Sequence, residues 1–387
     1  MKIIQLLGHN SNWNLDIHYE QGVGEAFLFT AYTHGKRFLD KKIYQKIIDS
    51  SMIDLQFYGK KDTTNATGKL SEFDFHPVNV DTDTVTNIYF ENCVKEAIKF
   101  QLETGFKKII IPNFYENEET RDIISMIQSM NNYIKSIKHE FNEIEFYMTL
   151  PFAHHIIINK EKVEEILVAC TDMSIVFDGY FITCETKPET KKKVSTDIKI
   201  FKNLTRVFKT LKAQDFKTIY AYANWDAIIY LAETDIDYIT IGSFENLRNF
   251  DIKRFVEKTS GGFSPGFYFS EKLLNMVKSN DLSNIRGTGN LELILNDKNI
   301  FSDIIINENF PWSSTKPDVN KNYLLAVTKL LQEIADIEDL EQRKKHVQKL
   351  IDQAIFNYNQ LEKRHVFLEN ESSNYHLASW KTHLANS

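Results

Sequence analysis

Cysteine is scarce: Cys93, Cys170 and Cys184 are the only three in 387 residues, and no two form a CxxC pair. That spacing argues against a disulfide scaffold and against a cysteine-rich structural zinc site. An excess of positive charge is also missing. With 46 Lys+Arg against 53 Asp+Glu, the net charge is −7. A protein that coats nucleic acid through bulk charge is therefore excluded, while a local basic patch is not. Long apolar runs are absent too. No stretch approaches the ~18 uncharged apolar residues of a membrane span, and the apolar run in MKIIQLLGHNSNWN is too short for a signal peptide. A soluble, cytoplasmic chain in a reducing setting, with no membrane partner, is expected. No GxSxG, HExxH, SxxK or Cys–His signature occurs, so serine or thiol hydrolysis has no support.

What is present suits a large core: 42% hydrophobic and 13% aromatic residues. Eight short runs rich in β-branched and aromatic residues read as strands: 2–9, 25–34, 52–59, 107–115, 144–152, 174–182, 217–225 and 237–244. Several are almost continuously apolar, as strands covered on both faces are. Helical patterns lie between most of them, at 38–51, 90–104, 118–140, 160–171, 195–213, 224–233 and 246–258. Alternation at this spacing predicts parallel strands joined by helical crossovers. Eight in a row predict an α/β fold, a (β/α)8 TIM-like barrel over 1–258, with an open doubly wound sheet as the alternative. Residues 10–24 and 59–89 read as long polar connections at the C-terminal face. Residues 259–320 read as an irregular segment packed on the barrel. Residues 321–387 read as a C-terminal helical extension, with long helices over 321–365 and a loosely ordered end at 366–387.

In such a barrel the informative residues are polar ones at strand ends. Asp54, inside the apolar run MIDLQF, and Asp178, inside SIVFDGYF, are the candidate catalytic carboxylates. Burying a carboxylate is costly unless it is paired or neutralised, and functional sites tolerate that cost. Each can equally cap a helix or pair with a nearby Lys or Arg. His9, Gln56, Asn113, His154, Glu185, Asn224 and Glu245 are candidate substrate-binding residues. No cofactor is called for. A metal reading would draw on His9, His34, His76 and one of His154 and His155 with Asp54 or Asp178, but no spaced HxH pair supports it. The run KPETKKK places Lys187, Lys191, Lys192 and Lys193 after the sixth strand, where they could meet a nucleic-acid backbone or form a solvated face. GGFSPG (261–266) is similar to a phosphate-cradling loop, or is a turn.

The stretch SIVFDGYFITCETKPETKKKV and the later KTIYAYANWDAIIYLAETDIDYITIGSFENLR resemble, in order and texture, the later half of the tRNA-guanine transglycosylase barrel. MIDLQFYGKK and GKLSEFDFHPVN resemble its aspartate-bearing strand and the segment that follows. The resemblance spans about 50–250, and its most specific piece is Phe177-Asp178-Gly179-Tyr180. It implies a transferase that exchanges or removes a base in a nucleic-acid substrate through a carboxylate, with Asp54 as the first catalytic aspartate. The chain departs from that family in three places. Thr240 stands near the nucleophile position, Leu55 and Gln56 replace Ser-Gly-Gly, and the Cys-rich zinc motif is absent. Asp237 could substitute only with a shifted strand register.

Two expectations follow. The first is a barrel enzyme acting on a nucleobase, nucleotide or nucleic acid, with paired carboxylates at its mouth. The second is a barrel without catalysis, a recognition or assembly subunit that docks to itself or a partner through the 321–365 helices. A metal-dependent barrel hydrolase is a further alternative.

Overall fold

Each of the eight apolar runs forms a strand, because a run buried on both faces has no polar side to offer water. In a computed structural model, residues 1–59, 68–80, 85–256, 266–368 and 370–387 are described. The strands are β1 (Lys2–Leu6), β2 (Ala26–Thr30), β3 (Met52–Asp54), β4 (Lys108–Ile111), β5 (Glu145–Phe152), β6 (Gly179–Cys184), β7 (Lys217–Ala223) and β8 (Tyr238–Gly242). All their pairings are parallel, in the order β3-β2-β1-β8-β7-β6-β5-β4. Because β1 pairs with both β2 and β8, the first and last strands meet. The result is a (β/α)8 barrel, nearly closed, with its seam between β3 and β4.

Alternate residues fill the interior: Ile4, Leu6, Ala26, Leu28, Met52, Ile110, Tyr147, Phe181, Ile219 and Ala221. Each of the Ile, Leu, Met and Phe side chains among them stabilises the fold by roughly 1.5–3 kcal/mol when removed from water. The outer faces of the strands pack on the crossover helices α1 (Ser11–Gln21), α4 (Asn87–Thr104), α5 (Arg121–Ile137), α7 (Lys160–Cys170), α8 (Ile198–Ala213) and α9 (Ala227–Leu231). Shorter pieces are α2 (Lys36–Leu39), α3 (Lys42–Gln45) and α6 (His154–Ile157). In α4 the Thr86 hydroxyl accepts from Tyr89 N–H at the start, and Gly105, at φ 99°, ends the helix in the left-handed region.

Four sequence expectations change here. Residues 10–24 are not a polar loop but contain α1. Its inward face is partly polar, so apolar periodicity does not reveal it. Asn14 and Gln5 exchange hydrogen bonds (Nδ2 to Oε1, 2.8 Å; Nε2 to the Asn14 carbonyl, 3.1 Å), and Ser11 and Tyr44 share one of 2.6 Å. The expected helix over 38–51 is replaced by α2, α3 and turns.

The irregular segment holds an antiparallel hairpin, β9 (Phe267–Ser270) with β10 (Asn275–Lys278), and two helices, α11 (Ser279–Gly287) and α12 (Ile300–Ile305). The loosely ordered end contains α15 (Leu377–Ala385), anchored by buried Leu377, Trp380, His383 and Leu384. The long helices are two, α13 (Pro317–Ala335) and α14 (Leu340–Lys363). Most of α13 is buried against this chain's own barrel and hairpin. Among the described residues no helix is long and apolar enough to cross a membrane.

Candidate active site at the barrel mouth

Strand β3 ends at Asp54, whose side chain follows Met52 on the inward face. The carboxyl is 3% exposed. Its Oδ1 accepts from Gln56 N–H (2.9 Å), and its Oδ2 accepts from the hydroxyls of Tyr58 (3.0 Å) and Tyr222 (2.7 Å). Gln56 Nε2 in turn donates to the Tyr222 oxygen (2.7 Å), and its Oε1 accepts from Tyr32 N–H (2.8 Å). Burial dominates the acidity and pushes the Asp54 carboxyl up to about 6. The three hydrogen bonds and the nearby Arg254 charge limit the rise.

Two residues of this cluster hold left-handed backbone, Gln56 at φ 57° and Tyr222 at φ 55°. Such a conformation in a non-glycine residue costs roughly 1–3 kcal/mol and persists only where surrounding contacts compensate. In β7 the register slips between Tyr220 and Ala223. That bulge turns Tyr222 inward beside Ala221, although strict alternation would send it outward. Tyr222 N–H then donates to the Thr240 hydroxyl (2.8 Å).

A further carboxylate reaches the same mouth. Glu185 follows β6 and is 1% exposed. Its Oε2 accepts from the Tyr115 hydroxyl (2.8 Å) and from His154 N–H (3.3 Å), with Lys187 Nζ 3.4 Å away. Its Oε1 is enclosed without a hydrogen-bond partner among the described residues. Phe250 joins the two carboxylates' surroundings: its ring centroid lies 4.8 Å from Tyr58, 5.6 Å from Tyr222 and 5.9 Å from Tyr115. The segment carrying Phe250 closes tightly over β8 because Gly242 has no Cβ, which would collide with Leu247. Arg248 pins it, donating to the Gly242 and Ser243 carbonyls and stacking 3.4 Å over the Tyr323 ring. Around this layer the hydroxyls of Thr30 and Thr149 are buried and, among the described residues, without a hydrogen-bond partner. Thr30 is the register partner of Asp54. Buried polar atoms without partners are uncommon and mark places for water or a ligand.

Asp178 does not join this cluster. It precedes β6 at the opposite rim of the barrel, where its oxygens take Lys138 Nζ (2.9 Å) and Phe146 N–H (2.8 Å). The expected Asp54–Asp178 pair is therefore not formed, and the sequence signal of Asp178 was that of a rim ion pair. Asp237 lies at that same rim, bound to Lys212 (2.9 Å) and Thr218 N–H (2.8 Å), so it cannot replace a nucleophile at the mouth.

The other candidates divide in the same way. Gln56 and Glu185 stand at the mouth. Asn113 is spent on backbone, donating to the Thr149 carbonyl (3.0 Å) and accepting from Phe114 N–H (2.7 Å). Asn224 accepts from the Tyr323 hydroxyl (2.7 Å), which ties β7 to α13. His9 is exposed and lines a small cleft with Trp13, Phe38 and Tyr44. His154 begins α6, and its Nδ1 is buried without a partner. Glu245 pairs with Lys193 (2.9 Å). Lys192 pairs with Glu189 (2.8 Å) and Lys187 with Glu185, and Lys187 and Lys191 are the exposed members of the run.

His34 and His76 are buried against backbone, near Thr30 and Leu55, and burial pushes them down to about 4 and about 3. Among the described residues no group of three or more His, Cys, Asp or Glu could hold a metal. Residues 261–265 of GGFSPG, and 60–67 and 81–84 of the 59–89 connection, lie outside the described residues. Sequence reading missed Tyr222, Phe250 and Arg254 as site residues. Only the buried carboxylate signal of Asp54 was available to it.

No family model matches the chain, and no curated protein matches it. Among solved structures the chain is similar to the HpcH/HpaI aldolase from Desulfitobacterium hafniense DCB-2, at 9% identity over 62% of this chain and 86% of that one, with a TM-score of 0.33.

Proposed function

We propose that the chain is a barrel enzyme acting on a nucleobase, nucleotide or nucleic-acid substrate by base exchange or related glycosidic-bond chemistry. The observation that carries this reading is the Asp54 carboxyl, buried at the mouth, clamped by Tyr58, Tyr222 and Gln56, and pushed up to about 6. A carboxyl of that acidity exchanges protons readily near neutrality. It also presents a donor in one form and an acceptor in the other, which suits the edge of a heterocyclic base. The rings of Tyr58, Tyr115, Tyr222 and Phe250 give the mouth an aromatic lining of the kind that suits a planar base.

In this reading the working pair is Asp54 and Glu185. The free Glu185 oxygen attacks the sugar carbon or activates a water, the glycosidic bond breaks, and Asp54 returns a proton to the departing base. A second reading, a barrel that binds without catalysis, is favoured by one observation. Thr240, near the nucleophile position of the resembled family, is occupied in holding Tyr222.

The test uses the full chain with radiolabelled guanine and bulk tRNA, following incorporation of label and release of base. Wild type is expected to turn over, and Asp54→Asn and Glu185→Gln to lose about 100-fold or more. Base bound without turnover moves the assignment to the second reading. Absence of both binding and turnover rejects the nucleobase assignment.

A further inference from the structure

A cation at the mouth has an enclosed N–H that meets no acceptor among the described residues. Arg254 lies in the short helix α10 (Lys253–Val256), which packs over the mouth behind Phe250. Its guanidinium carbon is 5.9 Å from the Tyr222 ring centroid and 5.6 Å from that of Phe255. Its Nη1 is enclosed and has no hydrogen-bond partner among the described residues.

The described acidic groups that act on it do not pair with it. Asp54 and Asp251 both influence Arg254 electrostatically, but neither forms an ion pair with it among the described residues. Asp54 already accepts from Gln56, Tyr58 and Tyr222. Asp251 Oδ1 is turned to Lys253 N–H (3.0 Å). A guanidinium stays charged at any physiological pH and presents a planar fork that matches a carboxylate or a phosphate. Leaving one of its N–H groups enclosed and unmet is costly, and an arriving oxyanion removes that cost. Arg254 also follows the eighth strand, where barrels commonly hold phosphate.

We infer that Arg254 is the receptor for an oxyanion carried by the substrate, a phosphate ester or a carboxylate, held beside the ring that stacks over Asp54. This rests on the nucleobase reading of the mouth for the ring, but not for the anion. It assigns a specificity: the chain prefers a substrate with an anionic arm to its neutral counterpart. It also places two functions side by side, with Asp54 handling protons and Arg254 handling charge.

The experiment is isothermal titration of the full chain with guanosine, guanosine 5′-monophosphate, inorganic phosphate and malonate. Wild type, Arg254→Gln, Arg254→Lys and Asp54→Asn are compared, with folding checked by circular dichroism. The 5′-monophosphate is expected to bind wild type at least about tenfold more tightly than guanosine, one charge-assisted contact's worth. Arg254→Gln is expected to abolish that preference. Arg254→Lys keeps part of it, which covers the case in which the glutamine variant fails to fold. Asp54→Asn weakens both ligands while the preference survives.

Malonate bound through Arg254 in place of phosphate identifies a carboxylate as the source. Phosphate or malonate bound through Arg254, with guanosine adding nothing, keeps the oxyanion site and rejects the nucleobase reading. Equal binding of all anions by wild type and both Arg254 variants, or no anion binding by wild type, overturns the inference.

Discussion

Replacing Asp54 by asparagine should raise the protein's stability relative to wild type progressively as pH rises from about 3.8 to about 6. The carboxyl is 3% exposed, and burial raises it from its ordinary 3.8 to about 6 against the pull of three hydrogen bonds. Between those two values the folded chain holds a proton that the unfolded chain has released. Stability therefore falls as pH rises from about 3.8 to about 6, and the deficit is constant above that. The difference between about 6 and 3.8, at about 1.36 kcal/mol per pH unit, is about 3 kcal/mol.

Asparagine does not ionise, and its amide oxygen still accepts from Tyr58 and Tyr222. The stability of Asp54→Asn minus that of wild type should thus grow by about 3 kcal/mol across this window. For 387 residues that corresponds to about 4 °C in melting temperature. Any fixed change in hydrogen bonding shifts both ends of the curve equally. Asp226 and Glu271, each pushed up to about 7 by burial, titrate in both proteins and cancel. Urea unfolding followed by tryptophan fluorescence from pH 4 to 7.5 measures the difference directly. Parallel curves for the two proteins would refute the reasoning. A stability gain joined to a loss of turnover is the signature of a group retained for function.

Two further outcomes are expected. Asp178→Asn should cost about 1 kcal/mol through its contacts with Lys138 and Phe146 N–H, and should leave ligand binding at the mouth unchanged. A binding loss comparable to that of Asp54→Asn would show that the two ends of the barrel are coupled. His383→Ala removes the buried partner of Glu233, 2.8 Å away. Burial acts to raise the Glu233 carboxyl, but His383 and Lys209 overcome it and hold it at about 2. The stability this contributes is present above the ordinary 4.5 and is lost as pH falls through about 2. At pH 7 the variant should lose about 3 kcal/mol, and α15 should become open to proteolysis. A C-terminus as resistant as wild type would contradict that.

The barrel was legible because its strands are apolar on both faces and because helices separate them at regular intervals. Elements that bury polar atoms were not. Helix α1 hides behind Ser11 and Asn14, and α15 is held by four buried residues within an otherwise polar end. Asp54 was legible as a carboxylate in an apolar run. Asp178 carried the same signal and means something different, because β6 begins one residue after it and leaves it at the opposite rim.

The sequence by itself determined the eight-stranded barrel, the helical extension and the presence of a buried carboxylate near the end of the third strand. Periodicity and burial are local properties, readable one run at a time. Only the tertiary structure decided which polar groups share the mouth. The bulge in β7 that turns Tyr222 inward is set by its pairing with β8, and the meeting of Tyr222 with Asp54 and of Phe250 with Tyr58 joins residues about 170 to 190 positions apart. Side-chain direction and depth there follow from where each strand starts and slips, which no single run of residues encodes.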